Sequence, residues 1–142
     1  MRRLHDTEIA ELLSLDVVAH LATVDAAGYP HVVPIWFLWA HNRFHVTSYA
    51  DRPHLDRIRT DPRVGLVIDT EDELRADGER PNKQIRIIGD AVLSPDSAGV
   101  WTSPIRAEYT NPRLAPAAET GSAGERVLIT ITPRTVRAVA SV

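Results

Sequence analysis

The feature that most limits the possible folds is a series of short segments rich in β-branched and apolar residues, with turn signals between them. Such segments, bounded by Gly, Pro, Asn and Asp, are typical of β-strands. They are residues 17–25, 31–40, 43–49, 63–69, 83–94, 126–133 and 134–141. Because neighbouring segments are joined as hairpins, we expect a mainly antiparallel sheet. A closed or partly closed barrel would protect the edges of that sheet, so the sequence predicts a mainly β fold with a few short helices.

Three segments have the pattern of helices. Residues 7–14 carry apolar side chains three and four positions apart. Residues 53–60 begin with a proline, which favours the first helical turn, and residues 96–109 form a third candidate. With 142 residues the chain is long enough to bury one core, so we expect a single domain over residues 1–142.

The segment 31–40 and the stretch 110–125 differ most in composition. The first, "HVVPIWFLWA", is strongly apolar and predicts a long, largely buried strand. Pro34 has no N–H for a ladder hydrogen bond, which indicates a bulge, an edge position or a bound group at this point. The second is poor in apolar residues and predicts a flexible loop. Whether that loop orders over a cleft as a lid or hangs free is left open by the sequence.

Composition argues against several classes of function. A net charge of −3 does not favour binding to nucleic acid or to an anionic membrane. Without cysteine there is no disulfide, thiolate metal site or cysteine nucleophile, and a reducing compartment suits such a chain. The N-terminus has no apolar signal-peptide core, and no apolar run reaches the roughly 18 residues of a membrane helix. We therefore expect a cytoplasmic protein without a membrane segment.

Known catalytic and metal-binding patterns are missing from the sequence. The serines lie in no GxSxG context, and there is neither a GxGxxG motif nor a Walker loop. The acidic run 71–73 lies in a polar loop and indicates a solvated surface. The histidines lack the close spacing of zinc ligands; they are His5, His20, His31, His41, His45 and His54. We predict no metal site, and no catalytic side chain stands out.

The stretch "TSYADRPHLDRIRTDPRVG" at residues 47–65 joins a strand end directly to a helix start. Free N–H groups and the helix dipole favour an anion at such a junction. Thr47 and Ser48 can donate hydroxyl groups there, and Arg52 has a guanidinium suited to phosphate. The stretch is therefore either an ordinary strand–helix connection or a binding site for an anionic ligand.

The order of the motifs resembles a known family. After an N-terminal helix come "LATVDAAGYPHVVPIWF", a helix running into "DPRVGLVID", and then "IRIIGDAV". This order resembles the pyridoxamine 5′-phosphate oxidase-like split β-barrel proteins, and among them the small flavin/deazaflavin-dependent oxidoreductases of actinobacteria. The resemblance covers residues 5–95 well and the C-terminal third loosely. It implies a six-stranded antiparallel split β-barrel of the FMN-binding type, and a homodimer with cofactor sites between its subunits.

In that family the cofactor is FMN or the deazaflavin coenzyme F-420, and some members bind heme instead. The resemblance implies that one strand segment lines the ring system and that the third strand and the following helix hold the phosphate. The residues at these positions are Val33, Pro34, Ile35 and Trp36 for the ring, and Thr47, Ser48, Arg52 and His54 for the phosphate. From the next long strand, Gln84 and Arg86 are expected to reach the site.

This chain departs from the family at the helix start, where relatives commonly carry a lysine near positions 53–55. Here Pro53, His54 and Leu55 occupy those positions, and Lys83 is the only lysine of the chain. A histidine loses its charge near neutral pH, so it replaces that lysine only in part. Weak phosphate binding, phosphate binding by Arg52, a different cofactor or a lost site all remain open at this point.

The resemblance implies an oxidoreductase that transfers hydride between the cofactor and a small planar substrate. The first alternative is a non-catalytic flavin- or heme-binding protein of the same fold. The second is a dimeric barrel without a ligand that serves as an interaction module.

Overall fold

A computed structural model describes residues 1–111 and 125–141 of the chain. Within these ranges the strands are β1 (Arg2–Arg3), β2 (Ala19–Val24), β3 (Pro30–Ile35), β4 (Leu38–Ala40), β5 (Arg43–Tyr49), β6 (Arg63–Glu71), β7 (Asn82–Pro95) and β8 (Arg126–Ala140). The helices are α1 (Asp6–Ser14), α2 (Pro53–Thr60) and α3 (Thr102–Tyr109), with a 3-10 turn at Ser97–Gly99. None of these helices has the length and apolar character needed to cross a membrane. The loop predicted at 110–125 lies almost wholly outside the described residues.

The strands form one antiparallel sheet in the order β3-β2-β6-β7-β8-β5-β4, and β1 adds a short pairing to β8. The two end strands of this order, β3 and β4, are separated by only two residues in the chain, Trp36 and Phe37. The sheet must therefore curl until its ends almost meet, which makes a split barrel. Six strands have six or more residues, so the predicted six-stranded antiparallel architecture is confirmed.

The barrel interior is filled by side chains that alternate along the strands. In β6, for example, Val64, Leu66 and Ile68 point inward and are almost completely buried. Phe37 and Phe44 meet edge to face at 5.8 Å between ring centroids in the same core. Burying a side chain of this size contributes about 1.5–3 kcal/mol each to the free energy of folding, so this core holds the strands that form the site.

Gly89 of β7 marks the predicted bulge in the β7–β8 ladder, where the extra residue, Arg134, belongs to β8. The pairing of β7 with β8 shifts between Ile88 and Gly89. A Cβ atom on Gly89 would lie 2.6 Å from the carbonyl oxygen of Thr132, so only glycine allows the two backbones to approach this closely. Pro133 lies opposite Gly89, where the ladder is already irregular.

This bulge explains one wrong boundary. Residues 126–133 and 134–141 were predicted as two strands, but they form the single strand β8. Proline ends a strand where it removes a ladder hydrogen bond, and Pro133 lies at a position where the ladder is already interrupted. The chain therefore continues past Pro133 without leaving the sheet.

The prediction of one long buried strand over 31–40 is wrong. The segment is split into β3 and β4, and β3 is an edge strand whose Val32 is 63% exposed. The edge position accommodates Pro34, which has no N–H to donate. Phe37 leaves the strand direction and enters the core, with 1% of its surface exposed. An apolar run without alternation cannot reveal such a break, because every residue in it is compatible with burial.

The third helix begins later than predicted, at Thr102 rather than near residue 96. The buried carboxylate of Asp96 accepts hydrogen bonds from the backbone N–H groups of Trp101 (3.0 Å) and Thr102 (2.9 Å), and from the Thr102 hydroxyl (2.6 Å). Asp96 thus fixes the start of α3 through its side chain while its own backbone stays outside the helix. This interaction places α3 against β5, beside the site described next.

Candidate functional site

A cleft of about 270 Å³ lies where the barrel is split, between the end of β3, the end of β5, the start of α2 and the side of α3. We call it the first cleft. Seven of the ten residues predicted to bind a cofactor line it: Pro34, Ile35 and Trp36 from the β3 end, and Thr47, Ser48, Arg52 and His54 from the β5–α2 connection. The structure therefore brings together two segments of the chain that only the resemblance had connected.

The cationic end of the first cleft is built around the ring of Tyr49. The guanidinium carbon of Arg126 lies 3.7 Å from the centre of this ring, and that of Arg52 lies 5.3 Å away. Both arginines line the cleft. Arginine over an aromatic face is attracted by the ring quadrupole and loses mobility, so Tyr49 fixes two positive charges beside the hydroxyl groups of Thr47 and Ser48.

Arg126 was missed by the sequence analysis. It is the first residue of β8 and pairs directly with Tyr49 across the β5–β8 ladder. Sequence alone gives no signal for this neighbour, because the pairing joins segments that are far apart in the chain and depends on strand register. Arg126 supplies the first cleft with a second cation beside Arg52, although the lysine expected near residues 53–55 is missing.

The start of α2 has the features predicted for it. Pro53 occupies the first turn, and Arg52 is the N-cap residue without a side-chain bond to the helix. The backbone N–H of Leu55 turns back to the Arg52 carbonyl at 3.1 Å. The helix start therefore presents Arg52 at the edge of the cleft, with the positive end of the helix dipole behind it.

His54 is buried and its Nε2 lies 2.9 Å from the Ser48 hydroxyl oxygen. Ser48 in turn donates to the Tyr49 carbonyl at 3.1 Å, so the Nε2–H tautomer of His54 completes this chain of hydrogen bonds. Burial lowers the pKa of His54, and the charges of Arg57 and Arg52 lower it further. His54 is therefore neutral near pH 7: it orients Ser48 and does not replace the charge of a lysine.

The side of the first cleft formed by β3 and α3 is mainly apolar and aromatic, although Arg106 of α3 also lines the cleft. Trp36 is 38% exposed, and its ring stacks on Tyr109 of α3 at 5.0 Å with an interplanar angle of 9°. The Tyr109 hydroxyl accepts from the Phe37 N–H (3.3 Å) and donates to the Val17 carbonyl (2.9 Å). Burial raises the pKa of Tyr109 to about 12, so this hydroxyl stays protonated. Tyr109 therefore fixes the connection between β3 and β4 through Phe37 and covers one face of the Trp36 ring.

The other three predicted residues lie outside the first cleft. Val33 points inward and packs against the core. Gln84 and Arg86 alternate with the buried Ile85 and Ile87, so they lie on the outer face of β7. There the Gln84 amide accepts a hydrogen bond from Arg86 at 2.6 Å. Their role in cofactor binding stays a prediction.

His45, which lies away from the first cleft, has a structural partner. His45 is buried on β5, and its ring stacks on Trp101 at 3.8 Å between centroids. Burial is the main reason why the pKa of His45 is lowered. Across residues 1–111 and 125–141, no three His, Cys, Asp or Glu side chains lie close enough to hold a metal ion.

Comparisons with known proteins agree with this fold. The model of the pyridoxamine 5′-phosphate oxidase family matches residues 5–140. No curated protein sequence shows a significant match. An F-420 reductase is 25% identical, with a TM-score of 0.69 over 89% of this chain and 93% of that chain. An FAD-binding protein from Mesorhizobium loti is 20% identical, with a TM-score of 0.72 over 99% of this chain and 98% of that chain.

The heme storage protein HutZ from Vibrio cholerae is a further structural neighbour. It is 21% identical, with a TM-score of 0.64 over 100% of this chain and 95% of that chain. At this level of identity the likeness concerns the fold, which these neighbours share with the split barrel described above. Because the family model spans almost the whole chain, this protein belongs to the pyridoxamine 5′-phosphate oxidase family.

Proposed function

We propose that this protein binds FMN or coenzyme F-420 in the first cleft and is an oxidoreductase that acts by hydride transfer on a small planar substrate. The observation that carries the proposal is the division of the cleft into two ends. Two arginines around Tyr49 form a cationic end, and Trp36 with its neighbours forms an apolar end. A phosphorylated cofactor with a flat ring system needs both.

The cationic end suits a phosphate. Guanidinium groups bind phosphate through paired hydrogen bonds, and each charge-assisted bond is stronger than a neutral one. Arg52 and Arg126 supply two such groups, and Thr47 and Ser48 add hydroxyl donors. FMN and coenzyme F-420 both carry phosphate, so this end supports either cofactor without a lysine at the start of α2.

The apolar end suits the ring system. Ile35 and Trp36 line it from the strand side, and Ile105 lines it from α3. These side chains exclude water and orient a flat ring, while a flavin or deazaflavin, once bound, supplies the hydride chemistry. The protein's part is to bind, orient and keep the ring dry, so we assign no side chain as an acid or base.

The proposal includes a homodimer, as the family resemblance implies. Two surfaces support it: the edge strand β3 exposes Val32, and the outer face of β7 exposes Ile88, which is 60% accessible. A second copy covering these surfaces would bury apolar area. Gln84 and Arg86 lie on the same outer face of β7 and would contact the cofactor of the partner subunit.

The alternative is a carrier that binds a flavin or heme without turnover. Heme in this fold would need an axial ligand. Among the described residues that line the first cleft, His54 is the only histidine, and its Nε2 is bound to Ser48. The geometry therefore favours a flavin or deazaflavin over heme.

The test is a titration of the purified protein with FMN, coenzyme F-420 and heme, followed by absorbance and fluorescence. We expect one of the first two to bind, and Arg52→Ala and Arg126→Ala each to weaken that binding. Arg59→Ala is the matched control: Arg59 lies on the same helix, is exposed and pairs with Asp56 at 2.8 Å. Failure of all three ligands to bind, or equal binding by all variants, would overturn the assignment of the cleft.

A second measurement separates the enzyme from the carrier. Once the bound cofactor is known, its reduced form is mixed with a panel of small planar acceptors under anaerobic conditions. Oxidation of the cofactor that needs both the protein and an acceptor supports the oxidoreductase. Tight binding without such turnover supports the carrier.

A further inference from the structure

A second cleft, of about 480 Å³, lies between α1, β4 and α3. It shares no lining residue with the first cleft. Its walls are apolar and come from Ile9 and Leu13 of α1 and from Leu38 and Trp39 of β4. The Trp39 ring packs on Phe44 of the core at 4.6 Å between centroids, so this wall is held in place from behind.

Two acidic side chains, Asp6 and Glu108, line this apolar space, and Glu108 comes from α3. The Oε2 atom of Glu108 is buried and has no hydrogen-bond partner among the described residues. Neither does Glu108 form an ion pair with a described residue. Burial raises the pKa of its carboxyl group, and the nearby charge of Asp16 raises it further. A buried carboxylate oxygen without a donor is costly, so its position beside an apolar cavity points to a donor outside the described residues.

We propose that the second cleft binds a small organic cation, a primary amine with an aromatic or aliphatic body. Because Oε2 is closed to solvent, a rotation of the Glu108 side chain would bring it to the cleft, where the ammonium group would donate a charge-assisted hydrogen bond to it. The body would lie against Leu13, Leu38 and Trp39, which excludes water and strengthens the ion pair. Asp6, also a lining residue, adds a second negative charge. The site has the opposite charge preference from the first cleft and does not depend on a flavin.

The probe is 2-phenylethylamine, compared with the neutral 2-phenylethanol and the anionic 3-phenylpropionate. Binding is followed by the NMR signals of the indole N–H groups, because Trp39 lines the second cleft and Trp36 the first. We expect the amine to shift Trp39 and to bind roughly tenfold or more tightly than the alcohol, as one charge-assisted hydrogen bond implies. The anion should bind least.

Glu108→Gln keeps the shape of the side chain and removes its charge. We expect this variant to lose the preference for the amine over the alcohol. Glu11→Gln is the control, because Glu11 is exposed on α1 and does not line the cleft. In the unaltered protein, amine binding should also weaken as pH falls and Glu108 takes up a proton, which tests the idea without any variant.

Three results would overturn the proposal: no shift of Trp39 by the amine, equal affinity for amine and alcohol, or a preference that survives in Glu108→Gln. A shift of Trp36 instead would place the amine in the first cleft and would also contradict it. None of these results bears on the titration with FMN or coenzyme F-420, so the two proposals fail separately.

Discussion

The two clefts differ in how their charged groups are held. In the first cleft Arg52 and Arg126 lie against Tyr49, and the neutral His54 is bound to Ser48. In the second cleft the buried oxygen of Glu108 has no partner within the described chain. The first cleft is therefore prearranged for an anion. In the second cleft a carboxylate oxygen lacks a hydrogen-bond donor, which a cation could supply. Helix α3 contributes to both, with Ile105 in one and Glu108 in the other.

The largest effect is expected from Arg126→Ala. The variant removes one of two guanidiniums from the cationic end, and loss of a charge-assisted hydrogen bond costs about 2 kcal/mol, or roughly thirtyfold in Kd. The affinity for the bound cofactor, measured by fluorescence titration, should fall by this amount. Amine binding at Trp39 should not change. If both ligands weaken together, the clefts are not independent and the comparison between them fails.

Tyr109→Phe tests the apolar end of the first cleft. Removing the hydroxyl leaves the Phe37 N–H and the Val17 carbonyl without this partner, which costs about 1–2 kcal/mol of stability. Urea unfolding measures that loss. Because the ring stack on Trp36 remains, cofactor affinity should fall less than in Arg126→Ala. An unchanged unfolding free energy would show that the β3–β4 break is fixed by packing alone.

Local features of the site could be predicted from the sequence, but contacts between distant strands could not. Pro53 after a strand end predicted the start of α2, and Gly89 in a β-rich run predicted the bulge, because each acts on its own backbone. Arg126 reaches Tyr49 only through the β5–β8 register. Glu108 and Trp39 line the same cleft only because α3 lies near β4. Neither arrangement can be predicted from the periodicity of the local sequence.

His54→Gln tests whether the positive charge of the first cleft comes from the arginines alone. Gln can still donate a hydrogen bond to Ser48, and His54 is already neutral at pH 7 because its pKa is lowered. We expect the cofactor Kd at pH 7 to stay within about threefold of the original value. A loss as large as that of Arg126→Ala would show that His54 carries charge toward the ligand.

The same histidine predicts how stability depends on pH. Its folded pKa lies below the unfolded value of about 6.5, so the unfolded chain takes up the proton first as pH falls. Stability is therefore complete above about pH 6.5 and decreases on acidification below it. His54→Gln should reduce this slope in urea unfolding between pH 7 and 5. His45, whose pKa is also lowered, leaves a residual slope, and His20→Gln, at an exposed position on β2, is the matched control.

The smallest effect, and the one of opposite sign, is expected from Glu108→Gln in the absence of any ligand. Because burial raises the pKa of Glu108 in the folded chain, its unfolded form loses the proton first as pH rises, and stability falls above about pH 4.5. Glutamine cannot ionise, so the variant should be more stable than the original at pH 7 and nearly equal at pH 4; because the side chain is only partly buried and solvent screens its charge, the gain at pH 7 should be no more than about 0.5 kcal/mol. Urea unfolding at both pH values measures this difference. Destabilisation at pH 7 would mean that the Glu108 carboxylate already has a hydrogen-bond donor. The second cleft would then not differ from the first by an unpaired charged group.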